Sequence, residues 1–410
     1  MSSDLIDLYD PDVYVAGPPH EQFERLRRED PVHRQEMPDG TWYWAVLRHA
    51  DVVEVSRNPS TYSAGRGGVT LEDLEPASLE MMQDMLLAMD PPRHGRYRAG
   101  LSDHFRARVI AGLEPRIRAV CRGILDDVGD GSVEAVHEVC ALVPSRVIGE
   151  LVGIPEADRP KIHSWAERCV GGQDPELAAD PGAADDSMTA SIEMAMFAIE
   201  LAARRREEPA EDLVTLLLGT EVDGEPMSDV AFGSFFVQLV VAGNDTSRTL
   251  LSSMILALLD HPEQLAEVRA DRSLIPGAVE EVLRWANPLH YFRRTAATDT
   301  ELAGVPIAEG DKLAMVYTSA NRDEAVFADP HRFDVHRDPN PHLSFGIGEH
   351  FCLGVHLARL EARVFLDELL DTWDHFELGG EPQRQRSNLN NSLKSLPLEV
   401  RRTAMTGVSR

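Results

Sequence analysis

The longest helical pattern in the chain covers residues 228–260 and is apolar on nearly every side. Its large apolar residues include Phe232, Phe235, Phe236, Leu239 and Val240. Ser228 is a favourable helix N-cap, and His261 followed by Pro262 predicts the end of the helix. At 1.5 Å per residue the helix would be about 50 Å long. Because a helix that is apolar all round has to be buried, we expect it to pass through the centre of the molecule.

The segments on either side predict a helical bulk and a smaller part that contains strands. Residues 42–47 are aromatic and β-branched, which indicates a short strand, and a helix carrying Val52, Val53 and Val55 follows. The pattern over residues 91–259 is mainly helical. After Arg294 short strands and proline-rich loops precede another helix over about 353–373. The predicted fold class is mainly α with small β-sheets, an α+β protein.

Composition excludes several classes of function. The chain has 410 residues and a formal net charge of -29, which disfavours binding to nucleic acid or to anionic lipid surfaces. Its 4 cysteines are too few and too scattered for a disulfide framework or a zinc site. The N-terminus has no signal-peptide pattern, and the longest apolar stretch, residues 230–242, is too short to span a bilayer. We therefore expect a cytoplasmic protein with no nucleic-acid or membrane partner.

One cysteine, Cys352, differs from the others because glycines surround it. Gly346, Gly348 and Gly354 flank it, just before a predicted helix. Glycine permits unusual dihedral angles and the close approach of a flat cofactor. A thiolate here would accept backbone N–H groups and feel the positive helix end, which lower its pKa and favour metal binding. The alternative for a lone cysteine is a small buried apolar residue.

This segment resembles the haem-binding signature FGxGxHxCxG of the cytochromes P450. The matching residues are Phe345, Gly346, Gly348, His350, Cys352, Leu353 and Gly354. The resemblance implies that Cys352 is the axial ligand of the iron in haem b, that His350 approaches a propionate and that Phe345 packs on the thiolate side, with Gly346 and Gly354 also at the cofactor. It implies one domain over residues 1–410, with a small N-terminal β-rich part and a triangular helical bulk. The haem would lie between the central helix and the helix that follows the cysteine.

The central helix contains a second matching motif. Ala242, Gly243, Asn244, Asp245 and Thr246 resemble the AGxDT sequence of the helix that crosses the distal haem face in this family. The resemblance places Ala242 at the cofactor and gives Asp245 and Thr246 the catalytic role of delivering protons to dioxygen. Gly243 beside Thr246 is expected to open the helix locally. The alternative is a kink or a packing site without catalytic function.

Two further sets of charged residues match the family. His94 and Arg98 lie one helical turn apart, and the resemblance places them with Arg294 against the haem propionates. Glu281 and Arg284 match its ExxR motif, which implies a buried structural network that braces the cysteine segment. The ProHisArgPhe sequence implies that Arg332 is its third member. Outside that context such pairs are usually surface ion pairs of little energetic value.

The expected function is a haem monooxygenase that hydroxylates or epoxidises a lipophilic or secondary-metabolite substrate, either free or bound to a carrier protein. By resemblance the substrate pocket includes Val241, Tyr291, Phe292 and Leu393. Electrons would come from NAD(P)H through a reductase and a soluble ferredoxin, docked on a basic patch that includes Arg359 and Arg363, and the protein would be a monomer. The alternatives are a haem-thiolate gas sensor, an isomerase or a peroxygenase.

Overall fold

The computed structural model describes residues 7–170, 173–176, 184–222 and 225–403. Helices form most of the molecule. They are α1 His20–Glu29, α2 His49–Arg57, α3 Pro76–Gln83, α4 Arg93–Ser102, α5 Ala107–Ala111, α6 Glu114–Asp127, α7 Leu142–Val152, α8 Arg159–Val170, α9 Ala184–Glu207, α10 Leu213–Leu218, α11 Asp229–Asp260, α12 Pro262–Ala270, α13 Ile275–Trp285, α14 Tyr317–Ala320 and α15 Val355–Thr372. Within the described ranges, no helix is long and apolar enough to cross a membrane.

The strands form small sheets, as the predicted fold class requires. They are β1 Val32–Glu36, β2 Trp42–Val46, β3 Tyr62–Ser63, β4 Gly131–Glu134, β5 Glu221–Val222, β6 Glu225–Pro226, β7 Tyr291–Ala296, β8 Thr300–Leu302, β9 Val305–Ile307, β10 Lys312–Val316, β11 Trp373–Leu378, β12 Gln383–Arg384, β13 Leu393–Ser395 and β14 Pro397–Arg402. The main sheet has the order β1-β2-β10-β7-β3, and a smaller one has the order β11-β14-β4. The β-rich part is thus not purely N-terminal, because β7 and β10 join the sheet from far along the chain.

Helix α11 confirms the prediction of a long central helix. The Ser228 side chain caps it by accepting a hydrogen bond of 3.2 Å from the backbone N–H of Ala231. The helix packs against α7, α8, α9, α13 and α15. Most of its apolar side chains, including Phe232 and Phe236, are buried in the main helical core.

The main sheet is buried on both faces, and β7 is one of its inner strands. Strand side chains alternate between faces, and in β10 Leu313 and Met315 join one apolar cluster while Ala314 and Val316 join another. β7 pairs antiparallel with β10, with Arg294 opposite Leu313. The same alternation determines which β7 side chains can reach the site described next.

Candidate functional site

A large cavity lies between α11 and the segment that carries Cys352. Its volume is about 260 Å³. Ala242, Gly243 and Thr246 of α11 line one side of it, and Phe345 and Cys352 line the other. The cavity therefore separates the two motifs that the sequence analysis expects on opposite faces of a flat cofactor.

The glycines of the cysteine segment have the unusual geometry expected of them. Gly346 and Gly348 have φ angles of 67° and 77°, which glycine adopts without a steric penalty. A Cβ at Gly348 would also lie only 2.7 Å from the carbonyl oxygen of Ser56. The backbone N–H of Cys352 donates to the carbonyl of Phe345 at 2.9 Å and closes the loop ahead of α15.

The electrostatic surroundings of Cys352 differ from those expected. Burial raises the pKa of its thiol, while the backbone N–H of Gly354 and the charges of Arg98 and Arg359 lower it to a smaller extent. A backbone N–H thus lowers this pKa as expected, but desolvation has the larger effect. A coordinated metal cation deprotonates a thiol outright, so the site favours a thiolate when it binds a metal.

An ion pair fixes the cysteine segment to two helices. Glu280 of α13 accepts hydrogen bonds of 2.7 and 2.6 Å from Arg359 of α15, and its oxygen lies 3.1 Å from His342 Nε2. Burial raises the pKa of Glu280, but these two partners lower it to about 2. The Arg359 guanidinium also lies 4.9 Å from the centre of the Phe345 ring. Arg359 is thus paired with Glu280 but keeps a side chain that is 33% exposed, and its place in a docking patch stays a prediction.

Basic side chains from three elements meet at one edge of the cavity. They are His94 and Arg98 of α4, Arg294 of β7 and His350 of the cysteine segment. The rings of His94 and His350 are 4.3 Å apart. Burial and the neighbouring arginines lower the pKa of His94 to about 4 and that of His350 to about 2. Burial also lowers the pKa of Arg98 and Arg294.

This edge fits two carboxylates that the described residues do not supply. Both ring nitrogens of His94 and the Nε2 atom of His350 are buried without a hydrogen-bond partner among those residues. The Glu349 carboxylate is 3.8 Å from His94 Nδ1, beyond hydrogen-bond distance. Buried polar atoms rarely lack partners, and the propionates of a haem would supply them. The basic edge would hold the propionates, and Cys352 would hold the iron.

The AGxDT motif presents two different faces because α11 is continuous through it. Residues four apart share a helix face. Ala242 and Thr246 line the main cavity, and the Thr246 hydroxyl donates to the Ala242 carbonyl at 2.6 Å. Val241 and Asp245 instead line a small second cavity. The expected opening of the helix at Gly243 is absent, and the expectation that Val241 lines the substrate pocket was wrong.

The Asp245 carboxylate is buried on this second face. It forms an ion pair with Arg248 of the same helix. Arg248 Nη1 lies 3.7 Å from a carboxylate oxygen of Glu167, whose side chain is 41% exposed. A chain of charged groups thus connects Asp245 to the protein surface, while Thr246 contacts the main cavity.

The buried charged network contains Arg337 where the sequence analysis expects Arg332. Arg284 donates to both oxygens of the fully buried Glu281, at 2.8 and 2.7 Å. Arg337 donates to the same carboxylate at 3.1 Å. Arg332 has an exposed side chain and contributes only its carbonyl, which accepts from Arg284 and Arg337. Arg332 and Arg337 both come after the ExxR motif in the chain. Only the fold of the turn between them shows which of the two side chains points inward.

The structure changes the set of residues expected to line the substrate pocket, because side chains alternate along β7 and other residues pack into the core. Phe292 lines the cavity together with Arg294, as expected. Tyr291 points to the opposite face of β7 and is buried in a sheet cluster. Leu393 is buried in the main helical core and does not line the cavity. Apolar wall residues that the sequence analysis missed are Phe235, Leu239, Ile148 and Leu289.

A buried acid at the cavity, Glu361, was also missed. Its side chain lines the cavity and accepts a hydrogen bond of 3.1 Å from the hydroxyl of Ser247. Burial raises the pKa of Glu361 to about 8. A glutamate on the helix after Cys352 gives no local signal of this environment, because the burial depends on the packing of α15 against α11.

Comparisons with known proteins agree with the geometry. The cytochrome P450 family model matches residues 186–401. The chain is 35% identical over 415 residues to the steroid C26-monooxygenase of Mycolicibacterium smegmatis, with 98% of this chain and 95% of that protein covered. It is 39% identical over 388 residues to the methyl-branched lipid omega-hydroxylase of Mycobacterium bovis, with 92% and 90% covered. A Mycobacterium marinum cytochrome P450 solved in complex with pseudoionone is similar with a TM-score of 0.90 and 38% identity, with 97% and 99% covered.

Proposed function

Since the chain belongs to the cytochrome P450 family and is a monooxygenase of that family, we propose that it hydroxylates or epoxidises a lipophilic substrate. The observation that carries this proposal is the cavity. Apolar side chains such as Phe235, Leu239 and Phe292 line it beside the Thr246 hydroxyl. An apolar cavity with a few polar groups is typical of a site for a lipophilic small molecule.

Each group of residues around the cavity would have a separate role in the proposed reaction. A haem held by a cysteine thiolate supplies the activation of dioxygen, and we propose haem b. The basic edge formed by His94, Arg98, Arg294 and His350 would orient the cofactor through its two carboxylates. The apolar walls would hold the substrate and exclude water from it. The proposal takes residues 1–410 as one catalytic domain, which the meeting of α4, β7, α11 and the cysteine segment at one cavity supports.

Proton delivery is assigned to Thr246 and Asp245. The Thr246 hydroxyl donates to the Ala242 carbonyl, and on turning away from it the hydroxyl can donate into the cavity. Asp245 is next to Thr246 but is paired with Arg248 on the other helix face. We propose that Asp245 exchanges protons with solvent on the Glu167 side and passes them through water to the Thr246 side.

Electrons are proposed to come from NAD(P)H through a reductase and a ferredoxin, with the enzyme acting as a monomer. The exposed ring of Phe351, next to Cys352, is 36% accessible and offers a contact close to the sulfur. Arg359 is paired with Glu280 and 33% exposed, and together with Arg363 it would supply the basic contribution to docking.

The test is oxygen insertion by the haem-loaded protein. A panel of free steroids, isoprenoids and branched alkyl compounds is screened for a shift of the Soret band, and compounds that respond are incubated with NADPH, ferredoxin, reductase and ¹⁸O₂. We expect a product that contains one labelled oxygen atom, and none from a Cys352→Ala control. Unlabelled product, or product formed equally well from peroxide alone, would contradict the proposal. Responses only to a carrier-bound acyl chain would move the substrate to that class.

A further inference from the structure

The cavity wall contains a polar amide side chain that the proposed reaction does not use. Gln238 of α11 lines the cavity among Phe235, Leu239 and Leu86. It is half-buried. Its Oε1 atom is buried and accepts no hydrogen bond from any residue in the described ranges.

The hydroxyl groups of the four described serine and threonine residues that line the same cavity have partners inside the protein. Ser56 donates to the Val52 carbonyl at 2.7 Å, and Ser344 donates to the Leu283 carbonyl at 2.6 Å. Ser247 donates to Glu361, and Thr246 donates to the carbonyl of its own helix. The basic edge is accounted for by the cofactor. An amide oxygen that lines the cavity beside apolar side chains and has no partner among the described residues indicates that a ligand supplies the missing group.

Gln238 also lies on the helix face that serves the reaction. Positions 238, 242 and 246 are successive steps of four residues, so the three side chains share one face. At 1.5 Å per residue Gln238 is about 12 Å along the helix from Thr246. A group bound to Gln238 therefore lies about two helical turns from the position where dioxygen is used.

We propose that Gln238 is a specificity-determining residue that binds a hydroxyl group of a lipophilic substrate, so that the carbon to be oxidised is remote from that hydroxyl. The inference rests on the proposed function, whose substrate class it narrows. A hydroxyl matches the amide because it can donate to Oε1 and, if the amide turns about its last bond, accept from Nε2. The substrate is then a lipid or isoprenoid alcohol oxidised towards its other end.

The experiment compares an alcohol with its methyl ether. Farnesol and farnesyl methyl ether have the same branched chain, but only the alcohol donates a hydrogen bond. Binding of each to the haem-loaded enzyme is titrated by the Soret shift in the wild type, in Gln238→Leu and, as a second apolar variant, in Gln238→Met. The control is Leu239→Met, a change of similar volume at the neighbouring wall position. Intact Soret spectra verify that each variant binds haem.

We expect the wild type and Leu239→Met to bind the alcohol about 3- to 10-fold more tightly than the ether, the range of one net hydrogen bond. In both Gln238 variants this ratio should fall to about 1, and the oxidised position should spread along the chain. A ratio near 1 in the wild type, or a ratio that Gln238→Leu and Gln238→Met leave unchanged, would overturn the inference.

Product analysis separates this inference from the proposed function. If the wild type oxygenates both compounds without regard to the hydroxyl, the role of Gln238 is wrong and the monooxygenase proposal for a lipophilic substrate stands. If the wild type binds neither compound nor any other free lipophilic compound and inserts no oxygen, both are wrong.

Discussion

Replacement of Arg337 by alanine should destabilise the protein severely, whereas the same change at Arg332 should not. Arg337 donates to Glu281 and to the carbonyls of Ala328 and Arg332, at 3.1, 2.6 and 2.9 Å. The side chains of Arg337 and Glu281 are only 8% and 0% exposed. Loss of the Arg337 side chain leaves the buried Glu281 carboxylate with one arginine fewer and removes one donor from each of these carbonyls, of which that of Arg332 still accepts from Arg284.

The magnitude follows from this geometry. Breaking a buried charged pair typically costs 3 to 5 kcal/mol, and because Arg284 still binds Glu281 we expect about 3 kcal/mol for Arg337→Ala. Arg332→Ala retains the backbone carbonyl, which is the only group that Arg332 contributes, so the change should stay within about 0.5 kcal/mol. Arg337→Lys keeps the charge but loses the planar fork, and an intermediate loss is expected.

The assay is urea unfolding of the haem-loaded proteins, followed by far-ultraviolet circular dichroism and by the Soret band. Both signals should move to lower urea for Arg337→Ala, and the Soret signal should be lost first because Glu281 also accepts a hydrogen bond from Asn340, shortly before the cysteine segment. Equal midpoints for Arg332→Ala and Arg337→Ala would refute the assignment of Arg337. So would a Soret band that outlasts the helical signal.

Further predictions concern the cavity. Thr246→Ala and Asp245→Asn should each reduce labelled product by about 10²-fold, the lower range for general acid–base catalysis, while haem content stays constant; unchanged product per dioxygen consumed would contradict the relay. Cys352→Ser should abolish the Soret position typical of thiolate ligation while the far-ultraviolet spectrum persists, and an unchanged position would exclude Cys352 as the ligand. Because burial raises the pKa of Glu361 to about 8, the folded protein binds more protons than the unfolded chain between the ordinary glutamate pKa and pH 8, so stability should fall as pH rises through this window. Glu361→Gln should flatten that fall in urea unfolding measured at pH 6, 7 and 8, and an equally steep fall in the variant would show that other groups cause it.

The parts of the site that depend on local spacing could be predicted from the sequence. The cysteine segment, the basic edge and the cavity face of α11 were recognised because their residues match short motifs of the cytochrome P450 family. By resemblance to the family, Val241 was expected at the substrate pocket and Asp245 was expected to act with Thr246. A continuous helix turns by 100° per residue, which places Val241 and Asp245 at the small cavity while Ala242 and Thr246 line the main one.

The remaining differences arise from contacts between distant segments. Tyr291 and Phe292 lie on opposite faces of the sheet because side chains alternate along β7. The register of β7 depends on its pairing with β10. Arg337 and Arg332 could be distinguished only by the fold of the turn that brings one of them to Glu281. The burial of Glu361 depends on the packing of α15 against α11, and the residues next to Glu361 in the sequence do not indicate this packing.

The continuous path of α11 through its motif has a consequence for how such an enzyme diversifies. Positions 238, 242 and 246 face the main cavity, and positions 241 and 245 face the small cavity behind the helix. Two sets of residues, interleaved in one helix, are therefore open to separate selection. Mutations at position 238 can change which molecule is accepted while the charged residues behind the helix are retained. Directed evolution of a new substrate range should accordingly concentrate on position 238 and leave Asp245, Arg248 and Glu167 untouched.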